Sequence, residues 1–188
     1  MCNTVSTVRL AAPIDRREFC TSTASGKSRS MCASSIFDTI LRPVFFMQNW
    51  EMMREPVLGG TLAQPLDPDR PFQHVAVEDV GAFAAIAFEH PDEWIGREVD
   101  IAGDEHTMPE IAETFSRVIG REVPYYQVSW DQFEEQMGEE SAVMYRWFND
   151  VGYEADIDAL RREYPELTTF ERYSRSHGRE DAKLPVGS

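Results

Sequence analysis

From Asp38 onward, short apolar runs alternate with amphipathic stretches, and this alternation is what most restricts the fold. Thr39-Ile40-Leu41 reads as a strand, with Arg42-Pro43 expected to end it because proline cannot donate to a ladder. Residues 45–53, from Phe45 to Met53, read as a helix. Residues 54–72, with Pro56, Pro65, Pro68, Pro71 and the pair Gly59-Gly60, read as an irregular connection. His74-Val75-Ala76-Val77 is a second short strand. The clearest helix runs from Glu78 to Glu89, because Val80, Phe83, Ala84, Ala87 and Phe88 share one face. Glu78 and Asp79 sit in its first turn, where carboxylates suit the positive end of the helix dipole, and Pro91 is expected to close it.

The pattern then repeats. Residues 98–103 alternate polar and apolar at period two, as in a half-buried strand. Thr107-Met108-Pro109-Glu110 is a capping box opening a helix that buries Ile111, Ala112, Phe115, Val118 and Ile119 and stops at Gly120. Residues 123–128 return as a strand, and Ser129 to Gln132 form a second capping box. Val143, Met144, Trp147, Phe148 and Val151 mark a further helix ending at Gly152, and residues 156–164 a charged one. A short turn from Thr168 precedes a polar stretch after Tyr173 that is expected to fray. Strand–helix alternation of this kind defines an α/β fold. The strands are too few to close a sheet alone, so partners on at least one side are expected.

Charge divides the chain near residue 36. Residues 1–36 carry five basic and two acidic side chains, net +3, with all three cysteines and 11 Ser or Thr. Residues 37–188 carry 13 basic and 31 acidic side chains, net −18. The overall charge of −15 repels phosphates and anionic lipid, so neither a nucleic acid nor a membrane is an expected partner. No apolar run approaches the ~20 residues that span a bilayer. Cys2, Cys20 and Cys32 contain no C-x-x-C pair and fit reduced thiols in a cytoplasmic protein.

Most catalytic templates fail on inspection. His74, His90, His106 and His177 are isolated in the sequence, with no H-E-x-x-H, so no metal site is expected. A G-x-S-x-G elbow is lacking. Lysine occurs only at 27 and 183, neither four residues after a tyrosine, so no local Tyr-x-x-x-Lys proton-transfer pair exists and no catalytic residue is assigned. Gly26-Lys27-Ser28 resembles the end of a phosphate loop, but Thr21 stands where its first glycine belongs. No Gly-x-Gly-x-x-Gly turn is present to nest a pyrophosphate. Acidic clusters such as Glu134-Glu135 and Glu139-Glu140 read as solvated helix faces, and Trp147, Phe148 and Tyr153 as core or interface.

The run from Thr39 through Pro43-Val44-Phe45-Phe46-Met47-Gln48-Asn49-Trp50 resembles the NmrA-like family, atypical members of the short-chain dehydrogenase/reductase superfamily. Residues 75–81, 96–104 and 107–112 add to the match in order and spacing, over roughly 37–173. The resemblance implies a Rossmann-type fold binding NADP or NAD, with a helical C-terminal subdomain closing over the cofactor. It implies that Pro43, Val44, Phe45 and Phe46 lie beside the nicotinamide end and Asn49 near the cleft. A loop leaving the C-terminal end of a parallel strand is where open α/β sheets place ligands.

The expected chain is therefore a partial Rossmann-type α/β fold lacking its N-terminal glycine-rich half. Residues 1–36 would be an unrelated, disordered lead segment, 37–175 the family region and 176–188 a flexible tail. The expected function is that of a truncated NAD(P)-binding family member of redox-sensing or oxidoreductase ancestry. The chain alone would bind little or no cofactor. The alternatives are a non-catalytic regulatory or interaction module, and a reductase completed by a second chain. An uncovered sheet edge would favour a homo-oligomer or a protein partner.

Overall fold

The computed structural model describes residues 8–11 and 38–181. In chain order the elements are β1 (Val8–Ala11), β2 (Asp38–Pro43) and β3 (Phe45–Phe46), then a 3₁₀ helix (Met47–Met53) running into α1 (Arg54–Leu58). Next come β4 (Leu62–Gln64), β5 (Phe72–Val75), α2 (Val77–Glu89), α3 (Pro91–Trp94), β6 (Glu98–Ile101) and β7 (Asp104–His106). The chain continues through α4 (Met108–Ile119), β8 (Tyr125–Gln127), α5 (Trp130–Met137), α6 (Glu139–Asp150), α7 (Ile157–Glu163) and α8 (Phe170–Asp181).

Three small sheets organise these elements. The first has the order β1-β2-β6, with β2 parallel to β6 and β1 antiparallel to β2. The second has the order β3-β5-β7, and β4 pairs with β8 in parallel as the third. The first two are joined through their strands. Val44 separates β2 from β3 and donates its amide to the Ile101 carbonyl (3.1 Å); the Gly103 amide, between β6 and β7, reaches the His74 carbonyl (2.9 Å).

β2 ends at Pro43, as the proline predicts, and the ladder shows why a proline fits at that last position. The amides of Ile40 and Val44 both point at β6, to Arg97 and Ile101. Amides alternate sides along a strand, so the Pro43 nitrogen faces the β1 side. Among the described residues the pairing with β1 ends at Val8–Leu41, so Pro43 gives up no described ladder bond. Four residues of the segment expected to lie outside the fold thus form an edge strand of the first sheet.

Two apolar cores flank the sheets. One gathers Phe45, Trp50, Phe72, Phe148 and Phe170 beneath α4, α5, α6 and α8. The other packs Leu41, Val75, Val80, Phe83, Trp94, Ile101 and Leu160 between the first sheet and α2, α3 and α7. The α2 face follows its sequence period at Val80, Phe83 and Ala87, but Phe88 is 53% exposed. Its first-turn carboxylate has a larger part than dipole compensation. Asp79 is buried and accepts from the Thr168 amide and hydroxyl, both at 3.0 Å, tying α2 to the loop before α8. The capping box at Thr107 forms as its spacing requires, Glu110 accepting from the Thr107 amide at 2.8 Å, and Gly120 ends α4 at φ 79°.

Several local expectations change. Residues 45–53 are not an α-helix: Phe45 and Phe46 pair with β5, and only 3₁₀ turns follow. The supposedly irregular connection contains α1 and β4. Pro91 opens α3 at its first position instead of merely closing α2. The C-terminal turn is the full helix α8, which continues through Asp181. No helix among the described residues is long and apolar enough to cross a membrane.

Candidate functional site

The segment singled out in the sequence leaves the C-terminal end of the parallel β2/β6 pair and drops into the core. Pro43, Val44 and Phe45 are buried. Phe45 lies in an aromatic cage, its ring centroid 4.9 Å from Phe72, 5.6 Å from Trp50 and 5.9 Å from Phe148. These three residues belong to the packed core. Phe46 and Asn49 are half-buried, so within the segment they are the candidates with surface left for a ligand. The Asn49 Nδ2 and Trp50 Nε1 atoms are buried without a hydrogen-bond partner, the kind of polar group a ligand satisfies. Between them and α2, Gln48 accepts from the Val77 amide (3.3 Å) and donates to Glu78 (3.0 Å), fixing the segment to the helix N-terminus.

A second cluster lies on the β5/β7 ladder. Antiparallel register sets His74 opposite Asp104 and Phe72 opposite His106, which puts both histidines and the aspartate on one face. The two imidazoles stack with centroids 5.5 Å apart and planes 3° from parallel. Phe170 covers both rings, at 4.7 and 6.0 Å. Asp104 approaches His106 Nδ1 at 3.8 Å and accepts from the Phe170 and Glu105 amides. His74 is wholly buried with neither ring nitrogen hydrogen-bonded, and His106 Nδ1 is likewise a buried atom without a hydrogen bond. Burial, with the His106 charge adding to it, pushes His74 down to about 3, so its ring is neutral at physiological pH.

The isolation of the histidines in sequence therefore does not survive folding. No motif spacing announces a pair brought together by strand register. The only local hints are a histidine inside the apolar run 72–75 and another immediately before the Thr107 cap.

A parallel strand pair flanked by helices, with the 43–49 segment leaving its C-terminal end, places the protein in the Rossmann-type class of α/β proteins. The sequence profile of the NmrA-like family matches residues 28–174, and the chain belongs to that family. Among solved structures it is similar to NmrA, a negative transcriptional regulator in complex with NADP (22% identity, TM-score 0.53, covering 77% of this chain and 54% of that one). It is also similar to Citrobacter sp. triphenylmethane reductase complexed with NADP(H) (17% identity, TM-score 0.61, 73% and 51%). A third is an Escherichia coli NADPH-dependent quinone oxidoreductase complexed with NADPH (20% identity, TM-score 0.59, 72% and 51%). The chain spans about half the length of these structures, and likeness at such identity establishes shared fold.

Proposed function

We propose that residues 38–177 form the half of an NmrA-like NAD(P)-binding protein that faces the nicotinamide and substrate, with little or no affinity for NAD(P) by itself. The observation that carries this reading is the split within the candidate segment. Phe46 and Asn49 keep surface at the end of the parallel pair, while no Gly-x-Gly-x-x-Gly turn exists in the sequence to hold a pyrophosphate. A glycine-rich half, on a second chain or a preceding segment, supplies the phosphate nest. Its strands add to the first sheet along β2, in place of the short edge strand β1, which makes it the natural partner of this chain. The chain's own residues then orient the nicotinamide end: Asn49 offers an amide donor, and Phe46 an apolar wall that excludes water. NADP or NAD supplies hydride or redox-sensing chemistry when bound. With no local Tyr-x-x-x-Lys pair, a sensing role is favoured over catalysis.

Titrating the chain with NADPH and following nicotinamide fluorescence is expected to give no saturable signal at micromolar concentration. Mixing with the glycine-rich half of a family member is expected to produce one. Micromolar binding by the chain alone overturns the reading.

A second reading, a non-catalytic interaction module, is favoured by one feature. Val143, Trp147 and Val151 stand at i, i+4 and i+8 along α6 and its C-terminal cap and are 62%, 41% and 55% exposed, an apolar stripe suited to a second copy of the chain. Light scattering that finds a monomer at high concentration removes it.

A further inference from the structure

We propose that His74, Asp104 and His106 form a binding site for a divalent transition-metal ion of the zinc class. Two imidazoles and one carboxylate are a donor set that suits such an ion, with water completing a tetrahedron. One ligand atom from each residue lies within 4.8 Å of the others. Ligand atoms about 2.0–2.2 Å from a common ion stand about 3.4 Å apart, so the set must draw in slightly. His106 and Asp104 are partly exposed and have room to do so, while His74 is held in the core.

Three further observations point the same way. A buried imidazole with both nitrogens unpartnered is an unmet cost that an ion at one nitrogen removes. The Phe170 and Glu105 amides orient the Asp104 carboxylate, as outer-shell groups do around metal ligands. Phe72 and Phe170 wall the cluster and keep water sparse, which strengthens charge–ligand attraction. This inference does not depend on nucleotide binding, since the donors lie on the β5/β7 ladder and not in the Pro43–Asn49 segment.

The experiment is a Co²⁺ titration of the full chain, stripped with chelator, read by visible d–d absorption and by thermal melting. The expected result is one ion per chain at micromolar affinity, displaced by Zn²⁺, with a melting temperature that rises with ion concentration. His106→Ala and His74→Phe are each expected to weaken binding by about tenfold or more. His90→Ala, at an exposed position outside the cluster, leaves it unchanged. His106→Ala, at a partly exposed position, keeps the test decisive if the core variant fails to fold. Three outcomes overturn the proposal: no saturable binding in the micromolar range; binding that both variants retain; or thiolate charge-transfer absorption that places the ion on cysteine.

Discussion

Asp79 offers the sharpest test of how the C-terminal region is held. Replacing it with alanine removes both acceptors of Thr168 and leaves that residue's amide and hydroxyl unpartnered against α2. Hydrogen bonds to a charged group contribute ~1.5–3 kcal/mol each, and an orphaned buried donor costs ~1–3 kcal/mol. Against this, the variant is relieved of burying a carboxylate, a penalty visible in the upward push that desolvation gives the Asp79 carboxyl. The net expectation for Asp79→Ala is a loss of about 2–4 kcal/mol. That corresponds to a melting temperature lower by roughly 10 °C for a domain of this size. Asp79→Asn keeps one carbonyl acceptor and is expected to lose about 1 kcal/mol.

The pH dependence has a definite sign. A folded-state value raised above the unfolded one means the protonated form is favoured on folding. The stability that follows is fully present below the ordinary carboxylate range and is lost as pH rises through the raised value. The advantage of wild type over Asp79→Asn should therefore widen as pH is lowered from 7 toward 4. Urea denaturation of the three proteins at several pH values reads this directly. Equal destabilisation by Asn and Ala, or an advantage that shrinks on acidification, refutes the reasoning.

Three further outcomes follow from the packing. At Gly103 an added Cβ would lie 2.7 Å from the Thr168 carbonyl oxygen, a backbone atom that cannot swing aside, so Gly103→Ala is expected to cost about 1–3 kcal/mol in thermal or urea unfolding. Phe45→Ala, in the aromatic cage, is expected to cost about 3–5 kcal/mol by the same measurement. Phe46→Ala, half-buried beside it, is expected to cost about 1 kcal/mol or less, separating a residue that packs from one that can meet a ligand.

What was legible in the sequence is what local chemistry decides. The Thr107 and Ser129 capping boxes and the stop at Gly120 lie within a single turn of their helices, and they formed as spaced. The α2 face needed only periodicity, with Phe88 exposed because it falls at the rim of the apolar arc. The parts that sequence misplaced depend on distant partners. Phe45 and Phe46 fit a helical period, yet β5 claims them as a strand. β4 was hidden among prolines because its ladder partner, β8, lies some sixty residues away. Of the five candidate site residues, the sequence located the segment at the strand end but could not separate core from surface. The histidine pair was invisible for the same reason as β4: it exists only once β5 and β7 are in register.

The edge of the first sheet carries a kinetic consequence. Among the described residues, β1 covers β2 through four pairs, Val8 to Ala11 against Leu41 to Asp38. A strand of the proposed glycine-rich partner could not dock on β2 while β1 is seated, so each such association would have to wait for that short ladder to open. The observed rate should then rise with partner concentration only until it reaches the opening rate of β1, and stay level beyond it. Deleting residues 8–11 would convert this ceiling into ordinary second-order behaviour, at the cost of leaving a bare edge to pair with whatever strand arrives first.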